Sequence, residues 1–146
     1  MIEFRPLAEA DLPRLREWLE REHVRHWWRE PIEYELAHDR RGRFVIFVDG
    51  RPAGMIQTYL EADPGVAGVD LLIGEEELIG RGLGPQVLAE FADEVVFARP
   101  ETTAVVATVE EANRRSWRAF EKAGFRHVGD IEEDGLPHRL MRLDRR

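Results

Sequence analysis

Ile2-Glu3-Phe4-Arg5 alternates apolar and polar residues with the two-residue period of a half-buried strand. The period then changes: Ala8-Glu9-Ala10-Asp11-Leu12-Pro13 opens a helix in which Leu12, Leu15, Trp18 and Leu19 recur at helical spacing. Arg21 to Pro31 is polar and aromatic, with His23-Val24-Arg25-His26-Trp27-Trp28 at its centre, and a second helix is expected from Ile32 to about His38. Arg43 to Val48 and Pro52 to Tyr59 flank Asp49-Gly50, a hairpin signal because both central residues must reach positive φ. After the turn Ala62-Asp63-Pro64-Gly65, the run Val66 to Gly74 is apolar with one acid inside it, Asp70, and reads as a central strand. Gly80-Arg81-Gly82-Leu83-Gly84 leads to Pro85, expected at the first helical position of an amphipathic helix reaching about Arg99. Thr102 to Thr108 reads as a strand and Glu110 to Ala123 as a helix stopped by Gly124. Phe125 to Ile131 and Leu136 to Leu143 read as strands around Asp134-Gly135. The order β-α-α-β-β-β-α-β-α-β-β predicts a mixed α/β layer structure, helices covering a twisted sheet.

At 146 residues, with no repeat or long linker, the chain is expected to form one domain over residues 1–146. No apolar run approaches the length of a membrane span, and the amino terminus lacks the basic-then-apolar layout of a signal peptide. A cytoplasmic protein without membrane contact is expected. The absence of cysteine excludes disulfides, thiolate-bound zinc and a thiol nucleophile, so an acyl group cannot be parked on a protein sulfur. The net charge of −8 repels nucleic acid and suits a cationic small-molecule partner. His23 and His26 lack a third ligand partner, so no metal is expected.

Two features carry chemistry. Glycines directly before a helix let the backbone approach a ligand, and the free amides at the helix start, reinforced by its dipole, favour a phosphate or diphosphate. Gly80 to Gly84 has that form, yet it lacks the Gly-Lys-Ser/Thr ending of a P-loop and the βαβ start of a dinucleotide fold. Asp70 is the second, since aspartate is depleted in apolar strands. A carboxylate there can hold an ammonium group and take its proton, directly or through water, as amine acylation requires. The same residue also reads as an acid at a bulge or exposed strand face.

Asn113, opening a helix that ends Phe120-Glu121-Lys122-Ala123-Gly124-Phe125, and the loop Ile79 to Gly84 together resemble the GNAT acetyltransferase superfamily. The resemblance covers nearly the whole chain and implies a GNAT-like fold, a central twisted and mostly antiparallel sheet flanked by helices, with acetyl-CoA as cofactor. It implies that Ile79, Gly80, Arg81, Gly82, Leu83 and Gly84 hold the pyrophosphate, that Leu71, Leu72 and Ile73 run beside the pantetheine arm, and that Asn113 contacts the cofactor. Phe120 stands where many relatives carry a tyrosine that protonates the leaving thiolate, which leaves water or Ser116 for that task. Ile79 replaces the usual Gln or Arg of the loop.

Within the superfamily the chain looks most like aminoglycoside 6'-N-acetyltransferases, on His23 to Trp28, Asp63-Pro64-Gly65 with Gly68-Val69-Asp70, Leu78 to Gly84, and Asn113 to Phe125. That likeness implies Asp70 as catalytic base and an acceptor site at Trp27, Trp28, Tyr59, Glu61, Asp70 and Asp134. The expected activity is acetyl transfer from acetyl-CoA to the 6'-amine of an aminoglycoside by a monomer or homodimer. A loop shortened to Tyr59-Leu60-Glu61-Ala62 keeps other amines open: a polyamine, a siderophore hydroxylamine or a protein amino terminus. The change at Phe120 keeps open a non-catalytic acyl-CoA-binding module. Trp27 and Trp28 also read as sheet-edge packing.

Overall fold

The computed structural model describes all residues, 1–146. Its strands are β1 (Ile2–Pro6), β2 (Arg43–Val48), β3 (Arg51–Leu60), β4 (Val66–Ile73), β5 (Ala104–Glu110), β6 (Arg126–Glu133) and β7 (Leu136–Asp144). They form a seven-stranded sheet in the order β1-β2-β3-β4-β5-β7-β6. The β4–β5 pairing is parallel, while β1–β2, β2–β3, β5–β7 and β6–β7 are antiparallel. The helices are α1 (Leu12–Glu20), α2 (Glu22–Arg25), α3 (Ile32–Ala37), α4 (Leu83–Phe91) and α5 (Arg114–Lys122). No helix is long and apolar enough to cross a membrane. Both hairpin signals act as read: Asp49 and Gly50, then Asp134 and Gly135, all have positive φ.

The chain divides into two compact units, one made of 1–57 and 70–81, the other of 58–69 and 82–146. In the first, Leu7, Leu15, Trp18, Leu19, Val24, Val45, Met55 and Leu72 form a buried cluster. The apolar stripe of α1 supplies Leu15, Trp18 and Leu19, and alternation along β2 and β3 supplies Val45 and Met55. Close approach makes one glycine necessary here. A Cβ at Gly54 would lie 2.1 Å from the Leu72 carbonyl oxygen, so β3 meets β4 at that point only with a bare Cα.

In the second unit α4 and α5 pack on each other, and Val87, Leu88, Phe91, Val105, Ala107, Trp117, Phe120, Phe125 and Met141 are buried. Gly124 at φ 103° ends the turn after α5, as its position predicts.

Several boundaries differ from expectation. A single helical turn, α2, forms inside the polar stretch before the tryptophans. Helix α4 begins at Leu83, so Pro85 is its third residue, tolerated because the amides of the first turn have no intrahelical partner anyway. It ends at Phe91 in a wide π turn, Ala92–Val96, closed by Phe97 N to Ala92 O at 2.8 Å, although the apolar pattern runs on to Arg99. Strand β5 runs two residues beyond Thr108, because Val109 and Glu110 pair with Arg139 and His138 of β7; α5 therefore starts only after Asn113.

Candidate functional site

Asp70 lies half-buried on β4, the only acid of that strand. Its carboxylate Oδ2 accepts a hydrogen bond from Gln57 Nε2 at 3.0 Å, and Gln57 Oε1 in turn accepts from Arg43 Nε at 3.2 Å. Arg43, the first residue of β2 and directly opposite Gln57 in the β2–β3 register, is sealed from solvent beside Glu35 of α3. Arg43 Nη2 meets Glu35 Oε2 at 2.7 Å and Nη1 meets the Glu35 carbonyl at 2.9 Å. Burial lowers the Arg43 guanidinium below its ordinary pKa, and the Glu35 charge works against that fall. Neither Gln57, Arg43 nor Glu35 is prominent in the sequence reading. The available signal was a glutamine inside the apolar stretch Met55-Ile56-Gln57, on a strand otherwise read as ordinary.

The same unit holds the rest of the β4 segment. Leu71 and Ile73 are half-buried and Leu72 is buried, and the strand ends at Gly74, over which the Trp18 ring lies. Trp18 Nε1 donates to Glu75 Oε2 at 2.6 Å, Arg21 donates to the same oxygen at 3.0 Å, and His23 Nε2 stands 3.0 Å from the Ile73 carbonyl. The tryptophan pair divides its work. Trp28 packs against the buried cluster of this unit, with its indole nitrogen buried and without a hydrogen-bond partner. Trp27 is exposed and meets His26 edge-on at 4.4 Å. The packing reading thus fits Trp28, and Trp27 is the one open to solvent. Ile79 is half-buried, and Gly80 and Arg81 close the unit exposed, Gly80 at φ 82°.

In the other unit Gly82, at φ 78°, is the residue from which α4 departs. An L-residue is strained there, and nothing lies within 4 Å of where a Cβ would stand at Gly80 or Gly82. The amides of Leu83 and Gly84 occupy the first turn of α4, where the helix offers no carbonyl partner; Pro85 contributes none. Gly84 sits 3.4 Å, measured from an added Cβ, from the Ala119 methyl of α5. Asn113 caps α5, Oδ1 accepting from Ser116 N at 3.4 Å. Phe120 is buried edge-to-face on Phe125, centroids 5.0 Å apart, so the position carries packing and no acid. Tyr59 and Glu61 cover Gly68: a Cβ there would stand 2.2 Å from the Tyr59 ring and 2.7 Å from Glu61 Oε1. Asp134, exposed at φ 52°, forms the tip of the β6–β7 hairpin.

The parallel β4–β5 pairing in an otherwise largely antiparallel sheet, with a glycine-led helix, is a mixed α/β arrangement, and comparison with known proteins specifies its class. Residues 8–133 match the family described as Acetyltransferase (GNAT) domain. Aminoglycoside N(6')-acetyltransferase type 1 of Klebsiella pneumoniae is 29% identical, over 89% of this chain and 76% of the relative. Lysine N-acyltransferase MbtK of Mycolicibacterium paratuberculosis is 25% identical, over 94% of this chain and 70% of the relative. The crystal structure of aminoglycoside acetyltransferase AAC(6')-Ib in complex with coenzyme A and kanamycin superposes with a TM-score of 0.87 at 30% identity, covering 99% of this chain and 95% of that one.

The chain belongs to the GNAT acetyltransferase family. It is an acetyl-CoA-dependent N-acetyltransferase. The residues present fit that cofactor: the backbone at Gly80 and Gly82 is open, and free amides stand at the start of a nine-residue helix.

Proposed function

We propose that this enzyme acetylates the 6'-amine of an aminoglycoside, with Asp70 binding the acceptor ammonium and removing its proton. The observation that carries the reading is a half-buried carboxylate on β4, held by a side-chain hydrogen bond, immediately before Leu71, Leu72 and Ile73 in a chain of this family. Ile79 to Gly84 would hold the cofactor diphosphate through backbone amides, with Leu71 to Ile73 beside its pantetheine arm and Asn113 and Phe120 as further cofactor contacts. Acetyl-CoA supplies the activated acyl group. The chain supplies binding, orientation and a proton acceptor, since an alkylammonium has no lone pair to attack with until it loses a proton. Trp27, Trp28, Tyr59, Glu61 and Asp134 are proposed to serve the acceptor, two of them anionic and suited to a polycation. The AAC(6')-Ib structure with kanamycin and coenzyme A and the 6'-acetyltransferase relatives support this choice of acceptor.

The test is release of coenzyme thiol with kanamycin, comparing the native enzyme with Asp70→Ala and locating the acetyl group by NMR. Loss of a general base lowers turnover roughly 10²- to 10⁴-fold. Undiminished turnover would remove Asp70 from the mechanism. A second reading, a lysine-type or hydroxylamine acceptor, draws on the lysine N-acyltransferase relative and on the five-residue link from Leu60 to Val66. Comparing kcat/KM for kanamycin, a polyamine and a lysine derivative decides between them.

A further inference from the structure

Gln57 joins the Glu35–Arg43 ion pair to Asp70, and the chemistry of its neighbours dictates which way its amide faces. A guanidinium only donates hydrogen bonds, so the oxygen of the Gln57 carboxamide must turn to Arg43 Nε, 3.2 Å away. The NH2 group is then forced toward Asp70, where Nε2 stands 3.0 Å from Oδ2. Arg43 cannot swing away to release the amide. Its Nη1 and Nη2 are both committed to Glu35, at 2.9 and 2.7 Å, and both side chains are sealed, 2% and 7% exposed. The result is a one-way series running from α3 through β2 and β3 to the carboxylate on β4.

We propose that Gln57 is a positioning residue for the acetyl transfer: the buried Glu35–Arg43 pair locks its carboxamide as a hydrogen-bond donor, which fixes the orientation of the Asp70 carboxylate toward the acceptor amine. The inference rests on the reading of Asp70 as the group that receives the acceptor's proton. It assigns a purpose to a buried ion pair. Such a pair adds little net stability over apolar residues of the same volume, but it supplies a rigid polar anchor that no apolar replacement provides.

The discriminating variant is Gln57→Leu, which keeps most of the side-chain volume and removes the donor facing Asp70 without placing a charge beside it. Thiol release with kanamycin is expected to show kcat reduced at least tenfold with an unchanged KM for acetyl-CoA; a space-filling role for Gln57 predicts native kcat. Removing both charges in Glu35→Met/Arg43→Met is expected to lower kcat severalfold in the native background and to add nothing when Gln57→Leu is already present. A readout independent of turnover is the Gln57 side-chain NH2 signal in ¹⁵N-labelled protein, expected to move in Asp70→Asn and in the double methionine variant. Native kcat in Gln57→Leu, additive losses in the combined variant, or an NH2 signal indifferent to Asp70→Asn would each overturn the proposal. Full turnover by Asp70→Asn would instead sink the reading of Asp70 on which it rests, and the NH2 signal distinguishes the two failures because it reports the hydrogen bond whether or not the bond serves catalysis.

Discussion

Arg43 and Arg139 each meet a glutamate at hydrogen-bond distance, in different units of the molecule and in opposite surroundings. Arg43 and Glu35 are enclosed, with 2% and 7% of their side-chain surfaces exposed. Arg139 grips both oxygens of Glu111, at 2.6 and 3.0 Å, and lies on the Trp117 ring at 3.7 Å, but 44% of the Glu111 side-chain surface is exposed to water. The Arg139 hydrogen bonds hold the Glu111 carboxyl below its ordinary range, yet solvent takes up most of what such a pair can contribute. Geometry alone therefore ranks the two pairs wrongly: the better fork is the exposed one, and the pair that matters is the one water cannot replace. The glycines differ in the same way. Gly54 in the first unit is required by a neighbour, the Leu72 oxygen, while Gly82 in the second is required by its own dihedral, with open space around it.

The largest effect expected from this contrast is at Arg43. Arg43→Met strands the Glu35 carboxylate in an enclosed site and is expected to cost about 3–5 kcal/mol of unfolding free energy in urea. Glu35→Met/Arg43→Met should recover most of that loss, because no uncompensated charge remains. Arg139→Met should shift the same transition far less. If the single and double variants at Arg43 unfold alike, the pair is held by packing and the comparison fails.

The glycines come next. At Gly54 an added methyl meets backbone, which cannot step aside, so Gly54→Ala is expected to cost about 1–3 kcal/mol through displacement of β3 from β4. Gly82→Ala meets no atom and pays only for a left-handed backbone, about 1–2 kcal/mol. Its second consequence separates it from Gly54: a rearranged start of α4 should weaken coenzyme A binding by calorimetry, at a cost in stability no larger than that of Gly54→Ala. Unaltered coenzyme affinity would count against the Gly82 loop as the diphosphate holder.

Much of this architecture was legible in the pattern of residues. The two-residue and helical periods found every strand and the helices α1, α3, α4 and α5, and the Asp-Gly pairs found both hairpins, because each of these signals is local. Boundaries that depend on a partner were not legible. Val109 and Glu110 extend β5 only because β7 lies alongside, and the π turn after Phe91 interrupts a sequence whose apolar positions continue. The site divides along the same line. Asp70 and the glycine loop stand out because each breaks the composition of its own segment, whereas Glu35, Arg43 and Gln57 look unremarkable singly and acquire meaning only where three elements bring them together.

A smaller effect is expected at Glu75, also in the first unit but only partly enclosed. Burial alone would raise its carboxyl, but the hydrogen bond from the Trp18 indole and the charge and hydrogen bond of Arg21 outweigh that and hold it below the ordinary value of 4.5. A depressed carboxylate contributes stability that is present above its unfolded pKa and lost as pH falls through the folded one. Glu75→Gln keeps an acceptor for Trp18 while removing the charge, and is expected to cost about 1 kcal/mol at neutral pH. Native and variant curves should converge as pH drops below about 4. A constant gap from pH 7 to pH 3 would mean that the charge is irrelevant and only shape is felt.

The smallest effect is expected where the pKa shift is among the most pronounced. The side-chain and backbone hydrogen bonds of Arg41 hold the Asp39 carboxyl at about 2, a value that in an enclosed pair would signal a strong acid-sensitive contribution to folding. Linkage counts only the difference between folded and unfolded states, and the partners here are two residues apart on an exposed segment, with Nε to Oδ2 at 2.8 Å. The unfolded chain can make the same contact, so both states bind and release the proton over nearly the same range and no net stability is linked to it. Asp39→Asn should therefore leave the unfolding midpoint unchanged from pH 7 down to pH 3, and an NMR titration of a peptide spanning residues 36–44 should show Asp39 depressed much as in the intact protein. A peptide titrating at the ordinary value of 3.8, with acid sensitivity lost in Asp39→Asn, would show that the fold itself creates the pair and would place this surface contact beside Glu75.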